Sequence, residues 1–124
     1  MDWKFRNDVP IYTQLVEQIE LRIVSGVYAP GERLMSVRDM SMEAGVNPNT
    51  LQRALQELER RGMVHAQRTA GRFVTEDRGL IEEQKLALAK KHVENYIKNM
   101  TEIGFDINEM VSLLTKEEKT DGNT

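Results

Sequence analysis

Cysteine is absent, which excludes disulfides and thiolate metal sites. The two histidines, His65 and His92, stand alone, and neither has a second ligand at a metal-binding spacing, so no metal site is expected. No serine sits in a nucleophile elbow, and no glycine-rich loop is built to cradle phosphate. Most carboxylates lie beside Lys or Arg in the pattern of solvated helix faces. Neither an enzyme nor a cofactor is expected. The longest unbroken apolar run is four residues, 86–89, far short of the ~20 that cross a bilayer. The chain begins without the basic and apolar segments of an export signal. A cytoplasmic protein with no membrane attachment follows as the expectation.

What is present is a chain of 124 residues, enough for one compact domain with an appendage or for two very small units. Its net charge of −3 argues at first sight against nucleic acid. The distribution says more. Residues 1–79 hold 11 basic and 11 acidic groups, whereas residues 80–124 hold 6 and 9. All ten arginines precede residue 80, and six of the seven lysines follow it. Arginine is the side chain for bidentate recognition of phosphate and guanine, so the first part has the means for a basic face.

Residues 1–9 have a short strand-like alternation, with Trp3 and Phe5 between Asp2, Lys4 and Arg6. Pro10 fits the first position of a helix running to about Ser25, with Ile11, Leu15, Ile19 and Ile23 every four residues and Gly26 as its stop. Pro30-Gly31 marks a turn, and residues 33–35 suit a short strand. Ser36 reads as the cap of a short second helix that ends at Gly45. Asn47 with Pro48 marks a third helix, which buries Leu51, Ala54, Leu55 and Leu58 and closes at Gly62. The period then changes. Residues 63–68 and 72–75 read as two strands around Thr69-Ala70-Gly71. From about Asp77 the pattern is helical again, broken at Gly104 and restarted by Asp106 and Glu109. Residues 116–124 are polar and read as frayed. The expected domains are 1–76 and 77–124.

Helix, short helix, tight glycine turn, capped helix and hairpin follow in the order of a winged helix-turn-helix. The fold class expected is mainly α with a small β-hairpin wing, followed by a C-terminal helical hairpin. A recognition helix offers its amino-terminal turn to the major groove, with free N–H groups for phosphate and its first side chains for base edges. Asn49, Gln52, Arg53 and Gln56 lie opposite the apolar stripe of the third helix. Asn and Gln pair with adenine and Arg with guanine, although the same spacing is also that of an ordinary solvated face. Arg68 and Arg72 flank the hairpin tip, which suits phosphate or minor-groove contact but also a generic charged hairpin.

The motifs Pro10-Ile11-Tyr12-Thr13-Gln14-Leu15, Tyr28-Ala29-Pro30-Gly31-Glu32-Arg33-Leu34, Ser36-Val37-Arg38-Asp39, Gly45-Val46-Asn47-Pro48-Asn49-Thr50-Leu51 and Ala54-Leu55-Gln56-Glu57-Leu58-Glu59-Arg60-Arg61-Gly62 follow in sequence. With Gly71-Arg72-Phe73-Val74, this stretch of about residues 10–75 resembles the DNA-binding domain of the GntR family of bacterial transcriptional regulators. The resemblance implies that Arg38 reads a guanine, with Ser36 capping its helix. It implies that Asn47, Asn49, Thr50 and Gln52 contact phosphates and bases, with Arg53 on the same helix. It implies that the wing, Gln67, Arg68, Thr69, Gly71 and Arg72, enters the minor groove. Four positions depart from the family pattern. Met35 stands where Pro is usual, Pro48 and Gln52 where Arg is common, and Thr69 where the wing usually has its first Gly. The Asn-Pro-Asn-Thr version and the short C-terminal region are similar to the YtrA-like subfamily.

About 45 residues follow the wing, enough for two helices that bury little by themselves. Pairing with a second copy through Leu86, Ala89, Val93, Tyr96, Ile97, Ile107, Met110 and Leu114 would cover their apolar stripes, and packing back on the DNA-binding domain is the alternative. A two-fold homodimer implies a roughly palindromic operator of double-stranded DNA. The expected function is sequence-specific transcriptional regulation, with repression favoured. The competing reading is a winged-helix protein-interaction module, which would show an apolar patch on the helix-and-wing surface. A small-molecule effector is a third element, with Trp3, Phe5 and Tyr12 as lining of a small pocket. Anchoring of the N-terminal segment by those aromatics is the plainer alternative.

Overall fold

Pro10 supplies no N–H of its own, and its carbonyl accepts from Gln14 N to open α1 (Ile11–Val24). Proline is thus the residue before the helix rather than its first turn. The computed structural model describes residues 1–122, with side chains through residue 117. Along α1 the four-residue apolar spacing puts Leu15, Ile19 and Ile23 in the core, at or near zero exposure.

A second four-residue series on α1, Gln14, Gln18 and Arg22, is polar and holds the N-terminal segment. Gln14 exchanges hydrogen bonds with the backbone of Arg6, at 2.7 and 2.8 Å. Gln18 does the same at Lys4, and the Arg22 guanidinium donates to the Met1 carbonyl at 3.0 Å. For the two glutamines the spacing matches, because four helical residues rise ~6 Å and two extended residues rise ~6.6 Å. The alternation expected as a strand is therefore extended backbone paired with side-chain amides, and not part of a sheet. Arg22 is only 2% exposed and lies 3.6 Å over the Trp3 ring, while Trp3 Nε1 donates to Glu43.

Ala29-Pro30-Gly31-Glu32 is a tight turn closed by Glu32 N on the Ala29 carbonyl at 3.0 Å, with Gly31 at φ +79°. Ser36 then caps α2 (Val37–Ala44) through Asp39 N at 3.1 Å. Gly45 leaves that helix in the left-handed region, and both its N–H and that of Val46 reach the Ser41 carbonyl. Asn47 accepts from Asn49 N at 2.8 Å and starts α3 (Pro48–Arg60).

The wing is an antiparallel pair, β1 (Val64–Gln67) and β2 (Gly71–Val74), with Val64 opposite Val74 and Gln67 opposite Gly71. Its turn is Arg68-Thr69-Ala70, closed by Ala70 N on the Gln67 carbonyl, and Gly71 at φ +101° opens β2 instead of sitting in the turn. The strand expected over residues 33–35 is a single bridge from Arg33 to Phe73, with Gly31, Glu32 and Leu34 also bonded to β2.

The chain divides into two compact units, Met1–Lys85 and Leu86–Thr124. The division falls within α4 (Arg78–Glu102), later than the end of the wing. The first turn of α4, capped by Asp77 on Leu80 N, carries the buried Ile81 and belongs with the first unit. In the second unit α4 is followed by a turn at Gly104, φ +97°, and a reciprocal capping box between Asp106 and Glu109 starts α5 (Ile107–Gly122). The stretch expected as frayed from Lys116 is thus helical to Gly122, and Asn123 and Thr124 lie outside the described residues.

Candidate nucleic-acid interface

The interface candidate is built by the caps. With Asn47 and Pro48 fixing the entry to α3, the amino end of that helix is presented to solvent: Asn47, Pro48 and Asn49 are exposed and Thr50 is half-buried. Free N–H groups and the helix dipole make such an end attractive to phosphate. Leu51, Ala54, Leu55 and Leu58 anchor the opposite face in the core. Asn49, Arg53 and Gln56 consequently point outward, and Gln52 is half-buried.

Arg38 stands in the first turn of α2 and is exposed. Among the described residues its guanidinium has no hydrogen bond or ion pair. Arg53 lies 4.7 Å over the Tyr12 ring, a cation–π contact that orients it without neutralising it. Arg68 is exposed in the turn of the wing, beside exposed Gln67 and Thr69.

Arg60, Arg61 and Arg72, by contrast, are each paired with a carboxylate. Arg60 and Arg61 at the end of α3 both bind Glu57, and Arg61 also binds the buried Glu20 at 2.9 Å. Hydrogen bonds from Arg60, and then from Arg61, hold the Glu57 carboxyl down at about 2. Arg72 is not a free cation on the wing: Glu59 pairs with it, and Gln52 accepts from its Nη1 at 3.2 Å. The structure thus brings together two residues expected at the interface, Gln52 and Arg72, through a third, Glu59. Sequence reading missed Glu59, although residues 52, 56 and 59 share one helical face. It also missed Tyr12 as the partner of Arg53.

The three aromatics considered for an effector pocket part company. Trp3 stacks on Phe5 with ring centroids 6.4 Å apart, while Tyr12 lines a shallow cleft with Arg53, Gln56, Glu57 and Arg60. In the second unit, Met110 is 2% exposed and the Tyr96 hydroxyl donates to its carbonyl. Met110 therefore faces its own chain, which corrects its place in the pairing stripe. Leu86, Val93, Ile107 and Leu114 are each more than half exposed, Ala89 is exposed, and Tyr96 and Ile97 are half-buried. Among the described residues there is no cluster of three His, Cys, Asp or Glu that could hold a metal, and no helix long and apolar enough to cross a membrane.

Two helices joined by a glycine turn, the second with an open polar amino end, and a hairpin beside it define a winged helix-turn-helix DNA-binding domain. Residues 11–74 match the model of the bacterial regulatory proteins of the gntR family. The chain belongs to the GntR family and is a transcriptional regulator, as are its relatives. It is 39% identical over 122 residues to the HTH-type transcriptional regulator YhcF of Bacillus subtilis, covering 98% of this chain and 93% of that protein. It is 29% identical over 106 residues to the HTH-type transcriptional repressor YtrA of the same organism, covering 85% and 82%. Among solved structures it resembles a GntR family regulator from Listeria monocytogenes, with a TM-score of 0.85, 37% identity and coverage of 90% and 98%. It also resembles the N-terminal domain of AraR in complex with mutant ORR3, with a TM-score of 0.52, 25% identity and coverage of 58% and 100%.

Proposed function

We propose that this regulator is a homodimeric repressor that places α3 of each subunit in the major groove of a roughly palindromic operator. One observation carries the reading: the amino end of α3 is capped, polar and open to solvent. Ser36, Arg38, Asn47, Asn49, Thr50, Gln52 and Arg53 form the groove-facing set, and Gln67, Arg68, Thr69 and Gly71 form the wing contact. Arg38, Arg53 and Arg68 supply the charge, since no carboxylate pairs with them among the described residues. The outward face of α3 is polar, which favours DNA over a docking partner. The AraR domain in complex with mutant ORR3 supports DNA as the ligand, and the YtrA likeness supports repression.

Dimerisation rests on the second unit. Its two helices bury only Met110 among the described residues and leave Leu86, Val93, Ile107 and Leu114 open. A second copy covers such a face, and the two-fold symmetry then sets the spacing of the half-sites. A regulator of this kind works in the cytoplasm.

The test is a titration of the full chain with duplex from its own promoter at about 50 and 200 mM salt. A sequence-specific complex that weakens steeply with salt is expected, with two subunits per site by sedimentation. Salt-independent binding, or none, would refute the DNA reading. A one-to-one complex would refute the dimer alone.

A further inference from the structure

We infer that Gln52 reads the operator as a hydrogen-bond donor, and so selects guanine rather than adenine. The inference rests on the reading of α3 as the DNA-recognition helix and adds the base preference of one side chain. A glutamine amide recognises adenine with both of its ends: the oxygen accepts from N6 while the nitrogen donates to N7. Here the two ends are not equivalent. Arg72 Nη1 is 3.2 Å from Gln52 Oε1, and since a guanidinium only donates, the atom facing it is the oxygen. The bond is charge-assisted, the stronger class.

Arg72 is itself held in place. Its Nε pairs with Glu59, two helical turns along α3 from Gln52, and it sits in β2 opposite Ala66. Glu59, Arg72 and Gln52 thus form a chain from the helix to the wing and back. With Oε1 directed at Arg72, the end of the amide turned away from that pair is Nε2. The Gln52 Nε2 has no hydrogen-bond partner among the described residues. Gln52 lies three residues after the exposed Asn49, on the same face of α3. Its free end is therefore an amide nitrogen with two donors. Guanine meets that with two acceptors, O6 and N7, while the major-groove edge of adenine pairs one acceptor with a donor.

The experiment is selection from a randomised duplex library with the full-length protein, in wild-type, Q52A, R72M and Q52E forms, each checked for folding by its melting curve. Q52A identifies the position by flattening the preference there. At that position the wild type is expected to take guanine over adenine by at least about fivefold. R72M frees the oxygen and is expected to raise adenine relative to guanine at the same position. Q52E keeps Arg72 occupied but replaces the donors with acceptors, and is expected to shift the choice to cytosine, whose N4 donates. Should R72M fail to fold, Q52E decides alone.

A brace between wing and helix, with no role in base choice, would lower affinity in these variants equally for every sequence. An unchanged motif in R72M and Q52E would therefore overturn the inference. So would a wild-type preference for adenine at the position, or a Q52A variant that flattens none. If the wild type enriches no motif at all, the failure lies with DNA recognition by α3.

Discussion

Replacing Gly45 with alanine isolates the energetics of the turn that sets α2 against α3. Gly45 has φ +70°, and a Cβ built there meets nothing within 4 Å. Sterics with neighbours therefore contribute nothing, and the cost is the left-handed backbone alone. That strain is about 1–2 kcal/mol for an L-residue. Alanine also restricts the unfolded chain, which offsets about 0.4–1 kcal/mol. The net destabilisation is about 1 kcal/mol, which lowers the melting midpoint by roughly 4–8 °C for a unit of this size. Gly45→Asn should recover much of it, because asparagine tolerates this region. Gly31→Ala should cost a similar amount: φ is again positive, at +79°, and the atom nearest the added Cβ, Glu76 Oε1 at 2.9 Å, is the end of an exposed, flexible side chain that can swing aside. Thermal melts by circular dichroism on all three variants decide the matter. An alanine at 45 that melts with the wild type would refute the reasoning, as would an asparagine no better than the alanine.

Arg38→Ala should weaken operator binding by about 1–3 kcal/mol and leave the melting curve unmoved, since Arg38 is exposed and no side-chain partner is lost within the chain. Fluorescence anisotropy with unchanged affinity would remove Arg38 from the interface. The double change Ile107→Glu and Leu114→Glu should turn a dimer into a monomer in sedimentation velocity, because both residues are more than half exposed; persistent dimers would move the pairing face elsewhere. Glu57, ordinarily near 4.5, is held at about 2 by Arg60 and Arg61. Its contribution to stability is therefore complete above pH 4.5 and is lost as the pH falls toward 2. The stability gap between wild type and Glu57→Gln should narrow over that window, and a gap independent of pH would contradict the pairing.

Much of this was legible because local chemistry specifies it. Ser36, Gly45 and Asn47 are capping residues whose physics acts within a few residues, so α2, the turn and α3 follow from their order. The apolar stripe of α3 fixed which face is outward, and hence where Asn49 and Arg53 point. What the chain order conceals is pairing across elements. Arg72 reads as a wing cation until Glu59 is seen beside it, and Gln52 reads as free until its oxygen is accounted for. Met110 lies in the same apolar periodicity as Ile107 and Leu114, and periodicity alone does not say which of them the chain keeps for itself. Trp3 and Tyr12 share aromatic character but serve different arginines, Arg22 and Arg53.

The segment before α1 has a wider reach than its lack of regular structure suggests. Deleting residues 1–5 would remove the aromatic lid and one of the two carbonyl acceptors of Arg22, a cation with almost no water of its own. It would also untie Trp3 from Glu43, which sits next to the end of α2. Trimming or bulky fusion at this start would thus be transmitted to the very helix that carries Arg38, and a variant altered there should not be taken as a neutral reference for DNA binding.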